Sequence, residues 1–257
     1  MKRILVPTDF ADCSIFAIRT AAELVEKFKS ELILLHVVDE PENSEVLAER
    51  VDAIMKMAEL QDLDYHYQQI TGDLVDTIVN QPSDLIVMGS EGAHGLESFF
   101  VGTNAEKVAK RAECPVVVVK AKTSLLDLQK IVFPTNMNRE DDDMIDQLKF
   151  IQEHFGAHVH ILKAYDDTLT SQREVEKRLT DFAEFHRISD YVVTAIEGVD
   201  EGEVIIDYAE KVGADIILLA THHHHGMEKV FAGHISSEVI NESNIPIWTR
   251  SIAIPSL

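Results

Sequence analysis

Ile4-Leu5-Val6-Pro7-Thr8-Asp9, near the start of the chain, returns as Ile131-Val132-Phe133-Pro134-Thr135-Asn136, an offset of 127 residues. The same offset carries Leu34-Leu35-His36-Val37-Val38-Asp39 onto Ile161-Leu162-Lys163-Ala164-Tyr165-Asp166. Further along the offset becomes 131. There Asp84-Leu85-Ile86-Val87-Met88-Gly89 faces Asp215-Ile216-Ile217-Leu218-Leu219-Ala220, and Cys114-Pro115-Val116-Val117 faces Ile245-Pro246-Ile247-Trp248. An unchanged order with four residues of drift marks one unit written twice. The two copies are expected at residues 1–122 and 128–257, with Ala121 to Gln129 as the linker.

Each copy alternates short apolar runs with amphipathic stretches. Ile4–Val6, Leu32–Val37, Leu85–Met88 and Val116–Val119 are near-continuous apolar runs, the pattern of parallel strands covered on both faces. Tyr65–Ile70 alternates and suits a strand near a sheet edge. Ile15, Ile18, Ala22, Val25 and Phe28 recur at helical spacing, with Asp12 or Ser14 placed to cap that helix. A second helical pattern carries Leu47, Val51, Ile54, Met55 and Ala58. The second copy repeats the scheme with Met144, Leu148, Ile151 and Phe155, then Val175, Leu179 and Phe182. The expected class is therefore α/β: two tandem, doubly wound, open parallel sheets of about five strands each. In such sheets a ligand lies at the carboxyl ends of the strands, where the strand order reverses. Chemistry is accordingly sought at Pro7-Thr8-Asp9, at Val37 to Asp39, and from Gly89 onward.

Composition bounds the partners. The net charge is −22, from 45 acidic against 23 basic residues. A surface that negative disfavours nucleic acid and acidic lipid headgroups. It does not exclude a small anion held at contact distance by backbone amides and a helix N-terminus. No apolar run approaches the ~18 residues that span a bilayer, and the start is too short in apolar residues for an export signal. Cys13 and Cys114 lack CxxC spacing and fit reduced thiols, so a cytoplasmic location is expected.

The most informative segment runs from Met88 to Asn104, leaving a strand and re-entering a helix whose first turn begins at Thr103. Gly89, Gly92 and Gly95 there allow tight turns with positive φ and let backbone N–H groups approach a ligand. Gly102 does the same just before the helix, and Thr103 offers a hydroxyl where the helix dipole favours negative charge.

Gly89-x2-Gly92-x9-Gly102-Thr103, with Pro7-Thr8-Asp9 upstream and His36-Val37 ending the second strand, resembles the ATP-binding class of the universal stress protein family. The resemblance covers nearly the whole chain, once per copy. It implies a universal-stress-protein-like, adenine nucleotide α hydrolase-like fold, with ATP at the switch point. By position, Asp9 would contact the ribose and Val37 would pair with the adenine through its backbone. Pro7, Thr8, Met88 and Gly89 would line the nucleoside pocket, and Gly92, Gly102, Thr103 and Asn104 would cradle the phosphates. Glu91 departs from the family's usual basic or neutral residue. A carboxylate there repels a triphosphate unless a metal such as Mg2+ bridges the two. The family also implies that the last strands, Val116–Val119 and Ile245–Trp248, meet antiparallel. The two copies would then form an intramolecular pseudo-dimer, with a further homodimer open.

At the corresponding positions the second copy reads Ala220, His223, Gly233 and His234, with Asn136 in place of Asp9. Two of three glycines and the hydroxyl are gone, so ATP is not expected to bind there in the same way. In their place stands Thr221-His222-His223-His224-His225-Gly226. Imidazoles are common ligands of zinc, and His222, His223, His224 and His234 are the metal candidates; a solvated polar loop is the plain alternative. Neither a GxxxxGK[ST] loop, nor an SGGxDS-type loop, nor HxGH is present. The expected function is a stress-response regulator that binds ATP in its first repeat, with slow hydrolysis at most and no dedicated catalysis. The alternatives are a slow ATPase, or a metal- or small-ligand-binding adaptor acting through the His-rich second repeat.

Overall fold

The computed structural model describes residues 1–40, 45–91, 104–137, 142–166, 171–223 and 232–253. Contacts divide the chain into two units, Met1–Leu126 and Asp127–Leu257.

The first unit runs β1 (Arg3–Pro7), α1 (Asp12–Phe28), β2 (Glu31–Val38), α2 (Glu45–Met55), β3 (Tyr65–Thr71), α3 (Leu74–Val79), β4 (Leu85–Gly89), α4 (Asn104–Arg111) and β5 (Val116–Val119). Its strands lie in the order β3-β2-β1-β4-β5 and pair parallel throughout. The chain moves outward from β1 through β2 to β3, then crosses back to β4 on the other side of β1. That reversal leaves a crevice where β1 and β4 end. β1, β4 and β5 are buried because helices cover both faces, whereas β3, at the edge, has no fully buried residue. On α1, Ile18, Ala22 and Val25 face the core, and Ile15 and Phe28 are half-buried.

The second unit runs β6 (Lys130–Pro134), α5 (Asp142–Phe155), β7 (His158–Tyr165), α6 (Gln172–Phe185), β8 (Tyr191–Glu197), α7 (Glu201–Val212), β9 (Ile216–His223), α8 (Ala232–Glu242) and β10 (Ile247–Ala253). Its order, β8-β7-β6-β9-β10, is again parallel and repeats the first unit strand for strand. The four-residue drift falls between the start of α3 or α7 and the strand that follows. There α7 spans 12 residues against 6 in α3.

One sequence expectation needs revision, and the connecting segment gains detail. Neither Asp12 nor Ser14 caps α1: the N-cap residue is Ala11, with no side-chain capping bond. Ser14 instead points its hydroxyl back, donating to the Ala11 carbonyl at 2.9 Å and meeting Thr8 Oγ1 at 3.1 Å. The segment expected to be a linker is also stitched down. Thr20 Oγ1 donates to the Thr123 carbonyl, the Leu125 amide donates to Glu23 Oε2 at 2.8 Å, and Leu125 is fully buried.

Candidate functional site

The turn after β1 sets the floor of the crevice. Thr8 is buried, its amide donates to the Leu35 carbonyl at 2.8 Å, and its hydroxyl accepts the Phe10 amide at 3.2 Å. This threonine turn holds Phe10 at φ 68°, in the left-handed region that non-glycine residues rarely enter. His36, at the end of β2, donates from Nδ1 to the Thr8 carbonyl at 2.7 Å and meets the Phe10 ring edge-on at 4.8 Å. Asp9 is thereby lifted to the surface of the crevice. One of its oxygens accepts the Ala11 amide at 3.0 Å, and among the described residues the other has no hydrogen-bond partner. Thr8, by contrast, spends its hydroxyl inside the protein and shapes the site rather than offering a polar contact.

On the other side of the reversal, Ser90 follows β4, with its amide bonded to the Val119 carbonyl at 2.9 Å. The result is a cavity of about 470 Å³. Seven of the ten residues named from sequence line it: Pro7, Thr8, Asp9, Val37, Met88, Gly89 and Asn104. Gly92, Gly102 and Thr103 lie outside the described residues. Gly89 does not have the positive φ expected of it. A Cβ there would lie 2.2 Å from the Cys13 carbonyl oxygen, so this glycine lets α1 close onto β4.

Two carboxylates, Asp9 and Glu91, share the cavity mouth with Cys13. Burial pushes the Cys13 thiol up, and both carboxylates push it further, so it stays protonated at neutral pH. The local field is therefore negative on the protein side. A polyanion entering here meets that field and needs a bridging cation or backbone amides to offset it.

A family model described as the universal stress protein family matches residues 1–120 and again residues 128–249. The chain belongs to the universal stress protein family. A universal stress protein of Methanocaldococcus jannaschii is 34% identical over 139 residues, covering 46% of this chain and 82% of the relative. A second protein of that family from the same organism is 27% identical over 159 residues, covering 48% and 97%. Each single-copy relative thus answers to about one repeat. The crystal structure of a universal stress protein from Archaeoglobus fulgidus superposes with a TM-score of 0.74, covering 97% of this chain and 98% of its own, at 18% identity. At that identity the likeness shows the fold.

Within this family fold, the cavity also takes in residues that sequence reasoning missed: Cys13, Ser14, Leu35, Leu74, Ser90 and Ala105. A signal existed for two of them. Cys13 and Ser14 open the helix that follows Pro7-Thr8-Asp9, and the first turn of such a helix faces the crevice. Leu74 had none, because α3 is too short to announce itself.

The matching crevice of the second unit is much smaller, about 80 Å³. Thr135 repeats the threonine turn, with its hydroxyl accepting the Met137 amide at 2.9 Å and Met137 at φ 58°. Ala220 stands where Gly89 stood, and Lys163 Nζ reaches across to Asn136 Oδ1 at 2.7 Å. Of the metal candidates, His224 lies outside the described residues. His222 and His223 end β9 and His234 falls in the first turn of α8; their side chains are likewise outside what is described. Among the described residues there is no cluster of three or more His, Cys, Asp or Glu suited to a metal ion, and no helix long and apolar enough to cross a membrane.

Proposed function

We propose that the first repeat binds ATP or a closely related adenine nucleotide and that the protein acts as a nucleotide-responsive regulator, with slow hydrolysis at most. The observation that carries this reading is the 470 Å³ crevice at the strand reversal, lined by Asp9, Val37, Met88, Gly89 and Asn104. Its size suits a nucleotide-sized ligand, since pockets for such molecules run from about 300 to 1,000 Å³. Asp9 offers a free carboxylate oxygen to ribose hydroxyls. The edge of β2 at Val37 presents backbone groups at the depth of a base. The triphosphate would extend past Ser90 toward the start of α4, where Asn104 stands and helix amides favour negative charge. Glu91 opposes that charge, so Mg2+ between Glu91 and the phosphates is part of the proposal.

Titration of the intact chain with Mg-ATP, in wild type and Asp9→Ala, tests this. Losing the ribose contact is expected to weaken binding roughly tenfold or more, because hydrogen bonds to a charged group are worth about 1.5–3 kcal/mol. Equal affinity in the folded variant would place the nucleotide elsewhere.

A further inference from the structure

The second repeat departs from the first at several positions around its crevice, and four of them change the polar chemistry. Asp9, His36, Leu74 and Ala105 correspond there to Asn136, Lys163, Glu201 and Ser236. The four replacements gather on one small cavity. Lys163 Nζ donates to Asn136 Oδ1 at 2.7 Å and lies 3.6 Å from Glu201 Oε1. An ammonium has three N–H groups, so one remains after these two contacts. Asn136 turns its carbonyl oxygen to the lysine, which leaves its two amide N–H groups for another acceptor. Ser236, on α8, is 2% exposed, and among the described residues its hydroxyl has no hydrogen-bond partner.

A hydroxyl this deeply buried is normally paired, and leaving it bare costs free energy. One that lines a cavity is paired by what enters the cavity. At about 80 Å³ the space equals roughly three water molecules at about 30 Å³ each. Space of this size suits a group of four or five heavy atoms rather than a nucleoside. The walls offer N–H and O–H donors from Lys163, Asn136 and Ser236, and one carboxylate acceptor from Glu201. A fully deprotonated anion meets repulsion at Glu201. An anion that keeps a hydroxyl can satisfy every wall at once.

We propose that the second repeat binds a compact, hydroxyl-bearing oxyanion, hydrogen phosphate or bicarbonate. Its oxygens accept from Lys163, Asn136 and Ser236, and its own O–H donates to Glu201. Sulfate has a similar shape but no proton to give, so it binds more weakly. This site is separate from the nucleotide crevice and does not depend on what the first repeat binds.

Amide spectra of the 15N-labelled intact chain, titrated with phosphate, bicarbonate and sulfate, report each repeat separately. Saturable shifts are expected at Asn136, Lys163 and Ser236 with phosphate or bicarbonate, the tighter of the two identifying the ligand. Sulfate should be weaker by roughly tenfold, the order of one lost hydrogen bond to a charged group. Lys163→Met should weaken binding roughly tenfold or more, and Ser236→Ala roughly threefold, while the shift of Ser90 on addition of ATP stays as in wild type. If Lys163→Met fails to fold, Ser236→Ala still decides the matter, because it removes one oxygen from a packed site. No shift at these three amides with millimolar anion, an equal response to sulfate, or unchanged affinity in Ser236→Ala overturns the proposal.

Discussion

Gly89 shows how a single residue serves packing and site together. A Cβ at this position would lie 2.2 Å from the Cys13 carbonyl oxygen and 2.8 Å from the Ser14 amide nitrogen, both of them backbone atoms that cannot swing away. Gly89→Ala must therefore push the start of α1 off β4. The expected cost is about 1–3 kcal/mol, the range for overpacking, read as a lower urea midpoint. Ala220→Gly, at the same place in the second repeat, should cost no more than about 1 kcal/mol, from backbone entropy alone. Charge at the cavity mouth gives a second residue-scale prediction. Removing the carboxylate in Glu91→Gln should tighten metal-free ATP several-fold and reduce the benefit of added Mg2+, as measured by calorimetry with and without chelator. An unchanged dependence on Mg2+ would mean the phosphates never approach Glu91. The left-handed Phe10 and Met137 were not legible in sequence, since neither residue type favours positive φ. Their cause is visible only in three dimensions, in the Thr8 and Thr135 hydroxyls that accept their amides.

At the scale of elements, the change of offset from 127 to 131 has a geometric meaning. Four residues are close to one turn of 3.6, so lengthening the helix by about a turn returns the same face to the core. Ile78 of α3 and Ile205 of α7, related by the offset of 127, are both buried. The strand that follows is pinned identically in both repeats. Asp84 Oδ2 accepts the amides of Lys2 and Arg3 at 2.5 and 3.0 Å. Asp215 Oδ2 accepts those of Gln129 and Lys130, both at 2.9 Å. The Lys2 amide, chiefly, holds the Asp84 carboxyl below its ordinary range. A depressed carboxyl stabilises the fold above the unfolded-state value of about 3.9, and that contribution is lost as pH falls toward the lower folded value. Asp84→Asn should thus lower Tm at pH 7 and narrow the gap to wild type as the pH drops below about 4. A gap that stays constant with pH would contradict this. The buried central strands were legible because both their faces are apolar. β8 and α3 were not: β8 mixes half-exposed positions, and α3 places only Val75 and Ile78 in the core.

Across the whole molecule, one folding unit has been kept twice while its crevice has been kept once. Parallel order, the threonine turn and the aspartate pin recur in both repeats, and these are what build the sheet. The crevices differ about sixfold in volume, 470 against 80 Å³. That divergence was half legible. Loss of the glycines and of Asp9 in the second copy could be read along the chain. The meeting of Lys163, Asn136, Glu201 and Ser236 could not, because these residues come from four separate elements or their ends. The histidine run draws the eye in sequence, yet the polar cluster of Asn136, Lys163, Glu201 and Ser236 is drawn together only by the fold. The central claim is that the nucleotide belongs to the first repeat alone. Isothermal calorimetry of the intact chain with Mg-ATP tests it most directly, with Asp9→Ala and Asn136→Asp run alongside. The account predicts one ATP per chain in wild type and in Asn136→Asp, and strongly weakened binding in Asp9→Ala. Two equivalent sites per chain, no binding up to millimolar ATP, or a site that survives Asp9→Ala unchanged would contradict it.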